Sequence, residues 1–526
     1  MDQQPLYDRV PLFVYNSLTR SRERFIALAP PNVGMYVCGP TVYGDPHLGH
    51  ARTALAFDIV FRYLRVLGYS VRYVRNITDV GHLEDETAET GEDKILKRAR
   101  LERVEPMEVV HRYTLSYHDG IRLMNCLPPS IEPTASGHII EQIQVVERII
   151  AAGLAYEQDG SVYFDLEKYV SSSGTAGSPY GKLSGKVFED LLSNTRATAG
   201  SGDKRSGLDF ALWKRAEPSH IMRWPSPWGE GFPGWHLECT TMSTKYLGKT
   251  FDIHGGGLDL QFPHHEAEIA QNHGAFGADP ARYWLHSNML TVKGQKMAKS
   301  LGNFITLEQM YSGESPALEQ PYHPMVMRFF MLQSHYRSTV DFSNEALKAA
   351  ERGYHRLMAA VEAAVRATEA VNHQAIPQGP DLEEVRQEGA HGTAVADQIE
   401  ACWAAMSEDF HTPRTIAALF ELGRLVQRPE HRDAPGVVRD AAARGMTGFT
   451  RQVLGLQPAA AGSAGAAGGE AGGSALETVM EMVLRLRREA RERRDFATAD
   501  AIRDQLAEAG IRLEDRKDGT TGWTES

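Results

Sequence analysis

The sequence predicts an α/β protein, a parallel sheet with helices on its faces, followed by a largely helical half. Three observations predict it. Between residues 34 and 74 a β-rich run, a helical run and a second β-branched run follow one another, the βαβ unit of a parallel sheet. The same texture, strand-like "FDIHGGG" and then helix-like "HHEAEIAQNHGA", returns after a long stretch of different character. Beyond residue 340 the pattern turns strongly amphipathic and helical. Together they give a Rossmann-like parallel-sheet domain with an inserted domain, then an α-helical bundle and a small C-terminal α/β module.

The elements follow in order. "MYVC" is a short strand; "HLGHARTALAFDIVFRYLRVLG" keeps helical spacing and ends at Gly68; "YSVRYVRNIT" is the returning strand. Residues 128–233 change texture, with short strands such as "SVYFDL" and Ser/Gly-rich loops, and read as an insertion. The sheet domain is therefore discontinuous, 12–127 and 234–300, with a linking segment at 301–342. The bundle is expected over 343–457, carrying "NEALKAAERGYHRLMAAVEAAVRATEAV". Residues 458–475, rich in Gly, Ala and Ser, read as a flexible linker, and 476–526 as a charged module with an arginine-rich helix. No internal repeat is evident, which argues against a solenoid.

Composition removes several classes of function. At 42% hydrophobic and 24% charged residues the chain is ordinary for a globular protein. No apolar run is long enough for a membrane span, and residues 1–25 hold no apolar segment of a secretory signal. Four widely spaced cysteines, Cys38, Cys126, Cys239 and Cys402, fit a reducing compartment, so a cytoplasmic location is expected. The net charge of -12 repels polyanions on average, and any nucleic-acid contact must rest on local basic patches.

Two short motifs carry chemistry. "HLGH", His47 to His50, stands at a helix start after a turn-rich loop, where unpaired N–H groups, the helix dipole and two imidazoles suit a phosphate. Gly49 lets a flat purine approach the backbone. The stretch lacks G-x-G-x-x-G, so a dinucleotide has no support. "KMAKS", Lys296 to Ser300, is a basic loop next to glycines whose lysines can neutralise a triphosphate and a departing pyrophosphate. Each motif has a plain structural alternative: histidines that serve packing, and a solvated Lys/Ser loop. Cys38, just ahead of the first motif, is either a buried core thiol or a metal ligand.

The flanking residues narrow the choice. "MYVCGPTVYGDPHLGHART", "YVRNITDVG", "PWGEGFPGWHLECT", "FDIHGGGLDLQFPHHEAEIAQ" and "KMAKSLGNF" together resemble the cysteinyl-tRNA synthetases of class I, from about residue 12 to the C-terminus. The resemblance implies one zinc per chain held by Cys38, Cys239, His264 and Glu268, with the substrate's thiolate as an added ligand. The spacing of His264 and Glu268 agrees, since four residues apart on a helix is one face; His265 and Glu266 point elsewhere and are poorer candidates. No H-E-x-x-H arrangement occurs, which disfavours metalloprotease chemistry. A soft thiolate on zinc separates cysteine from serine better than an apolar pocket does, so no separate proofreading domain is expected.

The resemblance further implies that His47 and His50 contact the ATP phosphates, that Lys296 and Lys299 stabilise the adenylation transition state, and that Gly257 and Asp259 lie against the ATP ribose, with magnesium accompanying ATP. Thr78 and Trp235 would line the cysteine pocket. At the C-terminus Arg491, Asp500 and Asp515 match base-reading positions for the anticodon of tRNA(Cys), and Arg planes with carboxylate acceptors suit unstacked bases. The implied partners are tRNA(Cys), L-cysteine and ATP, with no membrane and a monomeric chain. Three departures stand out: Ala298 where the lysine loop commonly has Ser, His411 where Asn is usual, and a long acidic stretch over residues 81–94. Two alternatives remain open at this point, a cysteine:amino-sugar ligase of thiol biosynthesis and a non-catalytic tRNA-binding paralogue.

Overall fold

The structure, a computed structural model, describes residues 5–85, 90–172, 180–187, 190, 204–218, 220–297, 301–368 and 375–459, and toward the C-terminus 483, 484, 487, 490, 495–508, 511–515 and 521–525. The chain divides into two compact units, Met1–Gly465 and Ala466–Ser526.

Among the described residues the larger unit is centred on a four-stranded parallel sheet of β1 (Asn32–Val37), β2 (Ser70–Arg75), β3 (Phe251–Gly257) and β4 (Ala281–Ser287), in the order β4-β3-β1-β2. In register, Tyr36 of β1 lies opposite Val74 of β2 and His254 of β3. Helix α1 (Leu48–Val66) makes the crossover from β1 to β2 and buries most of its length. It lies so close to β3 that a Cβ on Gly255 would sit 2.2 Å from the Phe57 ring, which is why that strand needs glycine there. The direction of winding reverses between β1 and β3, and the crevice outside the carboxyl ends of strands at such a point is where α/β sheets bind ligands. Cys38 lies at that place, its N–H bonded to the Gly255 carbonyl.

Two pieces follow β2 along the chain, and His82 and Lys94 at the foot of the first line the crevice. A hairpin of Leu83–Asp85 and Thr90–Asp93 leads into helix α2 (Lys94–Glu102). Within residues 128–233, a four-stranded antiparallel sheet runs in the order 231–233, 210–215, 161–164, 155–158. The chain then returns through helix α3 (Trp235–Leu247), and α4 (His264–Phe276) follows β3.

Helix α1 is clamped to the helical half at mid-length. Asp58, 2% exposed, accepts from Arg62 Nε at 2.8 Å and from Arg328 Nη2, and through its other oxygen from the Leu127 N–H at 2.8 Å. Arg328, on helix α5 (Pro324–Leu332), is fully buried and donates to the carbonyls of Met124 at 2.8 Å and Leu454 at 2.6 Å. Arg62 donates to the Asn125 carbonyl at 2.6 Å. Gly455, at φ +60, closes the clamp; a Cβ there would stand 2.3 Å from Arg328 Nη2. Two cations share one carboxylate and several carbonyls, which is how buried charge is tolerated. The bundle beyond is built from Asn344–Arg366, Gly389–Ser407, Thr412–Val426 and Gly436–Thr447. His411 caps the third of these by accepting the Arg414 N–H at 3.4 Å.

In the smaller unit, helix Phe496–Glu508 precedes an antiparallel pair, Ile511–Asp515 with Thr521–Glu525. Asp500 is exposed on that helix and pairs with Arg503 Nη1 at 3.1 Å. Asp515 ends the first strand opposite Thr521. Arg491 lies outside the described residues.

Candidate active site

A cleft of about 370 Å³ opens at the carboxyl ends of β1 and β3. His47, Gly49 and His50 form one wall; Gly257, Asp259 and Lys296 also line it. Cys38, Cys239 and His264 lie at its base, beside Thr78 and Trp235. Lys299 and Ala298 lie outside the described residues.

The two histidines of the helix start have a local task that fixes their chemistry. His47 Nδ1 accepts the Gly49 N–H at 3.0 Å, and His50 Nδ1 accepts the His47 N–H at 3.2 Å, a reciprocal capping box built from imidazoles. A ring nitrogen that accepts carries no proton, so each neutral ring holds its hydrogen on Nε2 and is a donor there. Burial, then the neighbouring His47, pushes the His50 pKa well below its ordinary value, so it stays neutral at pH 7. Two neutral donors at a helix N-terminus suit phosphate oxygens. The cap and the phosphate role are therefore compatible, because they use opposite ring edges.

The cluster at the base is buried. Cys38, Cys239, His264 and Glu268 are all buried, and one ligand atom from each lies within 4.8 Å of the others. The two sulfurs are 3.7 Å apart, far beyond a disulfide. Two thiolates bound tetrahedrally to one zinc at about 2.3 Å stand ~3.8 Å apart, so the spacing fits that ion. His264 Nε2 is buried without a hydrogen bond although it sits 3.1 Å from Glu268 Oε1. A buried donor or acceptor left in this way is costly, and a cation among these four groups would satisfy it. Burial pushes the Cys38 and Cys239 thiols and the Glu268 carboxyl up and the His264 imidazole down. The two thiols and the His264 imidazole are thus held in their neutral forms, and ligation would release the thiol protons.

A second layer of imidazoles surrounds that set, and the sequence did not reveal it. His254 Nε2 lies 2.7 Å from Glu268 Oε2, and His236 Nδ1 lies 2.9 Å from His264 Nδ1. His265 Nε2 stands 3.3 Å from Cys38 Sγ, and its Nδ1 contacts His286 Nε2 at 2.9 Å, while His286 Nδ1 reaches Ser17 Oγ at 2.8 Å. His265 therefore points toward the cluster from the far side of Cys38; helical spacing had set it aside. Cys38 and Glu268 also group with His254 and His265 within 4.8 Å. Such outer partners orient ligands and tune their basicity. The available signal was a histidine inside the apolar strand "FDIHGGG", a polar group that must find a partner when buried.

Thr78 and Trp235 sit against this base. Thr78 Oγ1 donates to Glu238 Oε2 at 3.1 Å, and burial raises the Glu238 pKa well above the carboxylate range. The Trp235 indole stacks on His264 with ring centres 4.3 Å apart.

Comparison with known proteins gives the family. The family described as tRNA synthetases class I (C) catalytic domain matches residues 24–352, and the Cysteinyl-tRNA ligase anticodon binding domain matches residues 475–521. The chain is 52% identical over 513 residues to the cysteine–tRNA ligase of Porphyromonas gingivalis, across 97% of this chain and 98% of that protein. It is 51% identical over 510 residues to the cysteine–tRNA ligase of Bacteroides thetaiotaomicron, with 97% and 98% covered. Among solved structures, Mycobacterium tuberculosis methionyl-tRNA synthetase in complex with methionyl-adenylate superposes with a TM-score of 0.53 at 13% identity, over 81% of this chain and 92% of that one, a likeness of fold. With a catalytic family spanning residues 24–352 and relatives about half identical over nearly the whole length, the chain belongs to the cysteine–tRNA ligases, class I aminoacyl-tRNA synthetases.

Proposed function

We propose that the chain activates L-cysteine with ATP, releasing pyrophosphate, and transfers the cysteinyl group from its adenylate to the 3′-terminal ribose of tRNA(Cys), as a cytoplasmic monomer. The observation that carries the reading is the placing of two chemistries in one cleft, phosphate donors on the wall and a Cys/Cys/His/Glu set at the base. A zinc ion held by Cys38, Cys239, His264 and Glu268 would take the substrate's sulfur as thiolate, a ligand that serine does not supply.

The chain's own residues do the rest. His47 and His50 donate through Nε2 to phosphate oxygens, and Lys296 with Lys299 balances charge on the departing pyrophosphate. Gly257 and Asp259 seat the ribose, with magnesium on the phosphates. Thr78 and Trp235 shape the space around the bound amino acid. The cysteine carboxylate attacks the α-phosphorus; the bond to the β-phosphate oxygen breaks as the carboxylate bond forms. A terminal ribose hydroxyl, the 2′ in this class, then displaces AMP. Arg491, Asp500 and Asp515 would read anticodon bases in the smaller unit.

Cysteine-dependent ATP–pyrophosphate exchange, with serine as control and tRNA charging alongside, tests the reading. Exchange and charging with about one zinc per chain are expected. Exchange without charging would point to the amino-sugar ligase, and loss of both to a non-catalytic paralogue. Removing residues 476–526 is expected to leave exchange within about twofold and to weaken charging by about tenfold or more, a loss on the scale of one or two base contacts. His50→Ala is expected to lower the exchange kcat about 100-fold with little change in the cysteine KM, since a donor lost from the phosphates acts on the developing charge.

A further inference from the structure

We infer that His82 is a positioning residue of the amino-acid pocket: it holds the Trp235 indole flat against His264 and so fixes the wall that meets the substrate side chain. The inference rests on the cysteine-activating reading above.

His82 is 6% exposed and lines the same cleft. Its ring stacks on Trp235 with centres 4.6 Å apart and planes 17° from parallel. On its opposite side Trp235 stacks on His264, at 4.3 Å and 27°, and the His236 ring lies tilted beside it at 5.2 Å. The indole is thus one layer of a three-ring stack whose innermost member belongs to the Cys/Cys/His/Glu set. A flat ring gripped by two rings cannot tilt back to admit a longer side chain.

The acidic stretch 81–94 explains how a histidine reaches this place. Its hairpin is closed at the foot by two hydrogen bonds: the His82 N–H donates to the Asp93 carboxylate Oδ2 at 3.1 Å, and the Lys94 N–H to the His82 carbonyl at 2.9 Å. Asp93 also caps α2 through the N–H groups of Ile95 and Leu96. That arrangement brings Lys94 Nζ to 3.2 Å from His82 Nε2. An ammonium only donates, so Nε2 accepts and the ring hydrogen lies on Nδ1, which contacts Thr41 Oγ1 in the loop after β1. His82 is therefore fixed in position and in tautomer by the hairpin foot on one side and the loop on the other. What the stretch contributes to the pocket is the residue at its foot.

The size of the wall decides between thiols that differ by a methylene, a difference worth about 10–200-fold in an apolar pocket. Two substitutions in the full-length protein separate the ring from its hydrogen bonds. His82→Phe keeps the stack and lacks the nitrogens; His82→Asn keeps polar groups and lacks the ring. Exchange is measured with cysteine and homocysteine, and zinc by elemental analysis. His82→Asn is expected to raise the cysteine KM about tenfold, to leave kcat within about twofold and to cut discrimination against homocysteine about tenfold, at unchanged zinc content. His82→Phe is expected to stay near the unsubstituted protein on all counts. Discrimination kept by His82→Asn, or lost by His82→Phe, would overturn the inference, as would zinc loss in His82→Asn. Absence of cysteine-dependent exchange in the unsubstituted protein would instead defeat the reading on which it rests.

Discussion

Cys239→Ser is expected to abolish stable zinc binding and to lower kcat/KM for cysteine-dependent exchange by about 1000-fold, well beyond the 10–100-fold that outer-layer changes cost a metal site. Cys239 Sγ stands 3.7 Å from Cys38 Sγ with little solvent contact, so its loss removes one of the two soft donors from the base of the cleft. The serine hydroxyl is a poor ligand for a soft site and keeps its proton near neutral pH. Elemental analysis of the purified protein reports the metal, and exchange with cysteine reports the function. Retained zinc with lost exchange would place Cys239 in the pocket but outside the metal set; retained zinc and retained exchange would remove it from both.

Asp58→Asn is expected to cost about 3–5 kcal/mol of stability, because it removes the carboxylate from between two buried guanidinium groups. Arg328 has no exposed surface and Arg62 little. The carbonyls of Met124, Asn125 and Leu454 remain, but a carbonyl dipole does not replace a charge. Urea unfolding followed by tryptophan fluorescence measures the loss. The double substitution Asp58→Asn with Arg328→Met should cost less than the sum of the two single ones, the mark of groups that interact. A change under about 1 kcal/mol for Asp58→Asn would mean that the carbonyls carry these cations by themselves.

Much of this was legible in the residue order because the signals are local. The βαβ pattern around β1, α1 and β2 follows from hydrophobic period, and the helix start at His47 from its capping position. His264 and Glu268 share a helix face by spacing, and the structure brings both to Cys38 and Cys239. The imidazole layer was not legible because it is lateral. His254 and His286 come from neighbouring strands, whose register pairs His254 with Trp284 and Gly256 with His286, and no spacing within one strand encodes a neighbour. His265 was set aside on a correct rotation of about 100°. That rotation still brings its Nε2 to 3.3 Å from Cys38 Sγ, on the side where His254 and Glu268 also gather. The acidic stretch gave no signal of its use, since its charges drew attention and the functional residue is the histidine at its foot.

The clamp on α1 also bears on the order in which the molecule can be completed as it leaves the ribosome. Chains emerge N-terminus first and domains tend to fold as they appear. Here the helix that begins with His47 and His50 is secured by Arg328 and, through it, by the Leu454 carbonyl and the close turn at Gly455. A nascent chain that has released β1 to β4 has Arg62 and the Leu127 N–H for Asp58 but still lacks Arg328 and the Leu454 carbonyl, so its cleft is built on a helix that is clamped on one side alone. Premature termination anywhere before residue 455 therefore yields an incomplete clamp, and a truncated product that carries the cleft without its helical half is disfavoured by the fold itself.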